Sequence, residues 1–299
     1  MRMKPPWLLL IAMVALVAAV HGWMLDRPGK AAVPVVQKHA PRDGQVIETT
    51  HYLVRSNATM EQTRATGEAV EKLHAAYLAQ FAHLPHTTPP AKLQLVLYGT
   101  RSEFKAWNSA IPWAEARYVP PECRAYVADG ANPYHWMLHE AAHQLAQEVM
   151  HFQRAKWIDE GLAGYFGASR IDATGLHPGD ADRNAYPIWW LPQLRFSGNL
   201  ASDVQTGRVI PLKALIDGSG PPIASYVNLY YVEWWSLVHF LLHHDGGKYA
   251  PGFERLLQHG ASVADFEREI GPLWAVQVEW YAYLLAQQEA LRTPALVAR

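Results

Sequence analysis

The chain has 299 residues, 50% of them hydrophobic and 18% charged, which is ample material for a core and excludes a largely disordered protein. Lys and Arg number 26 against 27 Asp and Glu, a formal net charge of -1, which excludes a protein built to coat nucleic acid. The one cysteine, Cys123, excludes an intramolecular disulfide and a cysteine-built metal framework, so any metal must be held by His, Asp or Glu.

Arg2 and Lys4 precede an uncharged run from Trp7 to Val20. That run has the length of a signal-peptide core and falls short of the roughly 20 residues of a spanning helix. Trp23, Met24 and Leu25 extend it beyond His21 and Gly22. Residues 1–25 therefore read as a cleaved signal peptide or as a retained membrane anchor, with residues 7–25 as the tether. Either reading exports the body to a periplasmic or other extracytoplasmic space, and a lone thiol suits that compartment. Residues 26–45, rich in Pro, Gly and charge, read as a linker.

The body, residues 46–291, begins with a strand at His51–Arg55. A long amphipathic helix follows over Thr59–Phe81, with Ala69, Leu73, Ala76, Tyr77 and Phe81 at helical spacing. Lys92–Tyr98 is a second strand, Thr100–Asn108 a short helix behind an N-cap threonine, and Arg124–Asp129 a third strand. That third strand is either an edge to which an extended peptide could add or an ordinary interior strand. His135–Met150 and Trp157–Phe166 are helices. Pro178–Pro211 is loop-rich, and four further helices fall at Leu229–His244, Phe253–Gln258, Val263–Glu269 and Val276–Leu291. The pattern is an α+β fold: an α/β lobe over 46–150, an all-helical lobe over 151–291, and a short tail at 292–299.

Residues 139–143 read His-Glu-Ala-Ala-His. Four apart on a helix, His139 and His143 share a face and can reach one zinc ion, while Glu140 beside them can take a proton from an activated water. No proline interrupts Tyr134–Met150, and Trp136, Leu138, Leu145 and Val149 supply an apolar side. A hydrolytic zinc needs a third protein ligand, and Glu160 is placed for it one helix later. Gly161, Ala163 and Gly164 are small enough to let that second helix approach the first.

HEAAHQL followed by WIDEGLAGYF resembles the gluzincin metallopeptidases, whose third zinc ligand is a glutamate, and within them the peptidase MA-like group. The likeness is specific over Met137–Phe166 and looser over Tyr230–Leu242. It implies a thermolysin-like fold with the metal in the cleft between lobes, one zinc per chain, and hydrolysis of a peptide or protein substrate. By position, His139, His143 and Glu160 would be ligands and Glu140 the general base. Tyr230 and Tyr231 both offer an oxyanion donor, and aligning Ser236-Leu237-Val238 with the family favours Tyr231. The chain departs from the thermolysin pattern at Gly164, where an Asp would orient a ligand histidine, leaving Asp159 as a substitute.

Other histidines have plainer readings: His135 as a surface residue at a helix start, and His239, His243 and His244 as a polar helix edge. Trp189 and Trp190 wall either a subsite or a lobe contact, and Cys123 reads as an inert small residue. Two further functions use the same residues. One is a catalytically degenerate binding or scaffolding protein at the cell envelope, and the other is a zinc hydrolase of a non-peptide amide such as a cell-wall linkage.

Overall fold

The computed structural model describes residues 44–109 and 113–292. The signal or anchor at 1–25, nearly all of the linker and all but the first residue of the tail lie outside the described residues. Among the described residues no helix is long and apolar enough to cross a membrane.

The fold is α+β. Its first half is a five-stranded sheet made of β1 (Gln45–Glu48), β2 (Tyr52–Ser56), β3 (Leu93–Tyr98), β4 (Arg117–Val119) and β5 (Glu122–Tyr126), in the order β1-β2-β3-β5-β4. The pairs β2–β3 and β3–β5 are parallel, while β1 and β4 close the two edges antiparallel. β3 (LQLVLY) is buried at five of its six positions, as a central strand covered on both faces must be. Helix α1 (Met60–Gln80) makes the β2–β3 crossover and α2 (Arg101–Trp107) follows β3. Each starts at a threonine, Thr59 and Thr100, whose hydroxyl accepts from the N3 backbone while the N3 side chain, Gln62 or Glu103, returns a bond to the cap.

Two expectations change here. The strand read at Arg124–Asp129 lies at Glu122–Tyr126 and is interior, with β3 on one side and β4 on the other. The edge is β4, whose three residues are too few to show an alternating pattern. β1 likewise begins at Gln45, where the proline-rich approach reads as linker.

The second half starts with α3 (His135–Gln144), which runs into a π-helical turn (Leu145–Val149). In that turn the Met150 amide reaches back five residues to the Leu145 carbonyl. Helix α4 (Lys156–Gly167) returns, followed by a hairpin of β6 (Ser169–Ile171) and β7 (Leu176–Ala181), so this half is not wholly helical. Then come α5 (Leu200–Gln205), α6 (Leu212–Asp217), α7 (Val227–His243), α8 (Ala250–His259), α9 (Val263–Glu269) and α10 (Leu273–Arg292). Tyr77 and Phe81, at the C-terminal end of α1, meet Phe152 and Phe166 in an aromatic cluster that locks α1 to the returning segment.

Helix α4 is sandwiched between α3 and α7, and its glycines set both spacings. A Cβ on Gly167 would lie 2.9 Å from the His139 Cα, so this residue permits the close approach to α3. Gly161 faces α7 instead, where a Cβ would lie 2.9 Å from the Trp234 carbonyl oxygen, and Gly164 also faces α7 at Trp235. The small residues expected to serve the first helix therefore mostly serve the third.

Gly167→Ala should lower stability by roughly 1–2 kcal/mol, because the overpacking cost of about 1–3 kcal/mol outweighs a helix-propensity gain of about 0.5–1 kcal/mol. Urea denaturation monitored by tryptophan fluorescence checks this, and a raised midpoint would contradict the tight α3–α4 contact.

Candidate metal centre

Helix α3 places His139 and His143 one turn apart on one face, their rings 4.9 Å apart and nearly perpendicular. Helix α4 brings Glu160 opposite them. Its Oε2 lies 3.5 Å from the His139 Nε2 and 3.7 Å from the His143 Nε2. One ligand atom from each of the three residues falls within 4.8 Å of the others, the one such trio of His, Cys, Asp or Glu among the described residues. The side chains are at most 12% exposed.

The surrounding support is unequal. Asp159 Oδ1 lies 2.9 Å from the His143 Nδ1, which holds a proton on Nδ1 and turns Nε2 toward Glu160. His139 Nδ1 is buried and has no partner. The position that would supply an aspartate in the thermolysin pattern, Gly164, packs on Trp235 instead. Lys156, one turn before Glu160, donates to its Oε1 at 3.1 Å, which turns Oε2 toward the imidazoles. That contact is legible as an i,i+4 pair in KWIDE.

Three carboxylates, Glu140, Asp159 and Glu160, crowd two imidazoles. Burial opposes ionisation of Glu160, but the hydrogen bond from His139 and the charges of His143, His139 and Lys156 hold its carboxyl well below the usual range. Burial pushes Glu140 upward despite the two histidines, as suits a proton acceptor. Burial also disfavours a charged His143, yet the Asp159 hydrogen bond and the neighbouring carboxylates raise it to about 9. A carboxylate facing two inward-directed ring nitrogens could hold a divalent cation, and a His2Glu donor set fits zinc.

The trio lies in a cleft of about 380 Å³ that Glu140 and Tyr231 also line. The Tyr231 ring is 6.1 Å from that of His139. Burial and the Glu160 charge push its phenol well above the ordinary range, so the hydroxyl stays a donor. Tyr230 points elsewhere and donates to the Pro221 carbonyl at 2.7 Å. The geometry thus separates two tyrosines whose spacing alone does not.

Residues 114–118 and Pro120, along β4 and its approach, form one wall of the cleft. The Tyr118 hydroxyl donates to Glu148 in the π turn at 2.7 Å, tying this edge to the ligand helix. Tyr186 and Asn228 also line the cleft, and no motif in the sequence marks either of them.

The remaining candidates stand apart from the trio. His135 is buried rather than at the surface, its Nδ1 donating to the Asn132 carbonyl at 2.7 Å. His239 is half-buried between the Tyr283 hydroxyl and the Gly179 carbonyl, while the exposed His243 pairs with the Tyr165 hydroxyl at 2.7 Å and His244 faces Glu279, as residues of a polar helix edge do. Cys123 is fully buried, its thiol pushed up by burial and donating to the Glu140 carbonyl, consistent with an inert residue.

Fold and site together define an α+β chain with a buried His2Glu trio between two antiparallel helices. A model for the family described as "Protein of unknown function (DUF1570)" matches residues 136–256, which takes in nearly all of α3, all of α4 and α7 and the β6–β7 hairpin but not the five-stranded sheet. No curated protein matches the chain.

Asp159→Ala should weaken metal affinity about 10- to 100-fold by releasing the His143 ring. Competition with a chromogenic chelator measures it, and an unchanged affinity would remove Asp159 from the support of the site.

Proposed function

We propose that this chain is an exported, zinc-dependent metallopeptidase of the thermolysin-like gluzincin type, acting on peptide or protein substrates. The observation that carries the reading is the convergence of His139, His143 and Glu160 within 4.8 Å, in a cleft that Glu140 and Tyr231 share. Export rests on the basic and apolar N-terminal segment alone.

His139 and His143 would hold the metal through Nε2 and Glu160 through Oε2. Zinc, when bound, supplies Lewis-acid polarisation and a nucleophile from water near neutral pH. Glu140 takes the proton of the attacking water and passes it to the leaving amine. Tyr231 donates its hydroxyl to the oxygen on which charge develops. The outer edge of β4, unpaired in the sheet order, offers backbone groups to an extended substrate along the cleft wall.

A second reading, a zinc-holding protein of the cell envelope without catalysis, is favoured by the unpartnered His139 Nδ1. A hydrolase of a non-peptide amide would use the same residues, and cleavage of cell-wall fragments but not of peptides would identify it.

The full chain should carry close to one zinc by elemental analysis and Glu160→Ala should lose it, whereas a folded wild type that takes up no zinc would overturn the reading. Glu140→Gln should keep the zinc and lower peptide cleavage by about 10²–10⁴-fold. Full activity in that variant would remove the general base. Tyr231→Phe should lower kcat by about 10²–10³-fold with KM little changed, and an effect on KM alone would make Tyr231 a binding residue.

A further inference from the structure

Beyond the metal cleft lies a second groove of about 660 Å³. The two are continuous, because Trp136, Tyr186, Asn228 and Glu115 line both. The groove is walled by aromatic rings set at steep angles. Trp136 and Trp189 are 6.2 Å apart at 83°, and Tyr186 and Trp189 are 5.8 Å apart at 63°. These rings and Trp190 are only partly buried, and all four line the groove.

The charges in the lining decide what the rings would receive. Arg101 is held by Glu115 through two hydrogen bonds, at 2.7 and 2.5 Å, and Glu115 also takes Lys105 and the Tyr126 hydroxyl. His135 presents no free N–H, since its Nδ1 hydrogen goes to the Asn132 carbonyl. Asp129, exposed at the rim, has no ion-pair partner among the described residues. Asp129 is thus the lining charge without an ion-pair partner, in a groove that indole and phenol rings also line. Aromatic faces attract cations through their quadrupole, and a carboxylate at the rim adds a counter-charge.

We infer that this groove is a specificity subsite for a basic side chain, Arg or Lys, of the substrate whose backbone occupies the metal cleft. The inference rests on the peptidase reading for its substrate but not for its test. Four equal-length blocked peptides, with Arg, Lys, Phe or Leu at the centre of an otherwise identical sequence, are titrated into the zinc-loaded full-length Glu140→Gln protein, which retains the cleft without turnover. Calorimetry should show the Arg and Lys peptides binding roughly tenfold tighter than the Phe and Leu peptides. That preference should shrink with added salt and fall to within about twofold in both Asp129→Asn and Trp189→Phe. Trp189→Phe keeps a ring in place and Asp129 is exposed, so both variants should fold, as circular dichroism would verify. Equal affinity for the four peptides, tighter binding of Phe or Leu, or no binding at all would overturn the subsite. Retained basic preference with no cleavage of the same peptides by the wild type would leave the subsite standing and overturn the peptidase reading alone.

Discussion

The trio of His139, His143 and Glu160 depends on how closely α4 can lie against α3. A carboxylate reaches two imidazoles on a neighbouring helix only if the backbones approach within side-chain length, and Gly167 against the His139 Cα permits this. The π turn and the short reversal after it turn the chain back, and the aromatic cluster of Tyr77, Phe81, Phe152 and Phe166 anchors the returning segment. On the far side, Gly161 lets α7 settle onto α4, which delivers Tyr231 to the opposite side of the same cleft. Three helices are thus registered by two missing side chains.

That arrangement carries an electrostatic tension. Crowding the carboxylates of Glu140, Asp159 and Glu160 into one largely enclosed site is unfavourable unless each finds compensation. Asp159 has the His143 ring, Glu160 has Lys156 and both histidines, and Glu140 is left to burial and the partial relief of its neighbours. The support is unequal: Asp159 and Glu160 are braced by named partners, and Glu140, the residue proposed to exchange protons, has the least compensation.

Much of this was legible in the sequence because it rests on local periodicity. Helical spacing alone puts His139 and His143 on one face, and the capping boxes at Thr59 and Thr100 are written in four residues each. Glu160 was legible through the context WIDEGLAGYF, and its geometry agrees. What stayed hidden depends on contacts between distant segments. β4 exists because Arg117–Val119 finds Glu122–Arg124 across a tight turn, not because three residues have strand character. The glycine faces follow from which helices flank α4. His135 becomes buried only when Trp136 and Trp189 close over it. Tyr186 and Asn228 enter the cleft from segments whose composition carries no mark of chemistry.

The trio joins two helices whose connecting segment, residues 151–155, includes the exposed Gln153 and Arg154. A cation held by His143 and Glu160 would act as a cross-link closing that short loop, and closing a loop removes conformations chiefly from the unfolded chain. The same ion would then serve as a fastener. With it removed, the anchoring of Phe152 and the bonds of Gln153 to Leu257 and Gln258 would be left to hold the loop, and its exposed residues would become more open to proteolytic nicking.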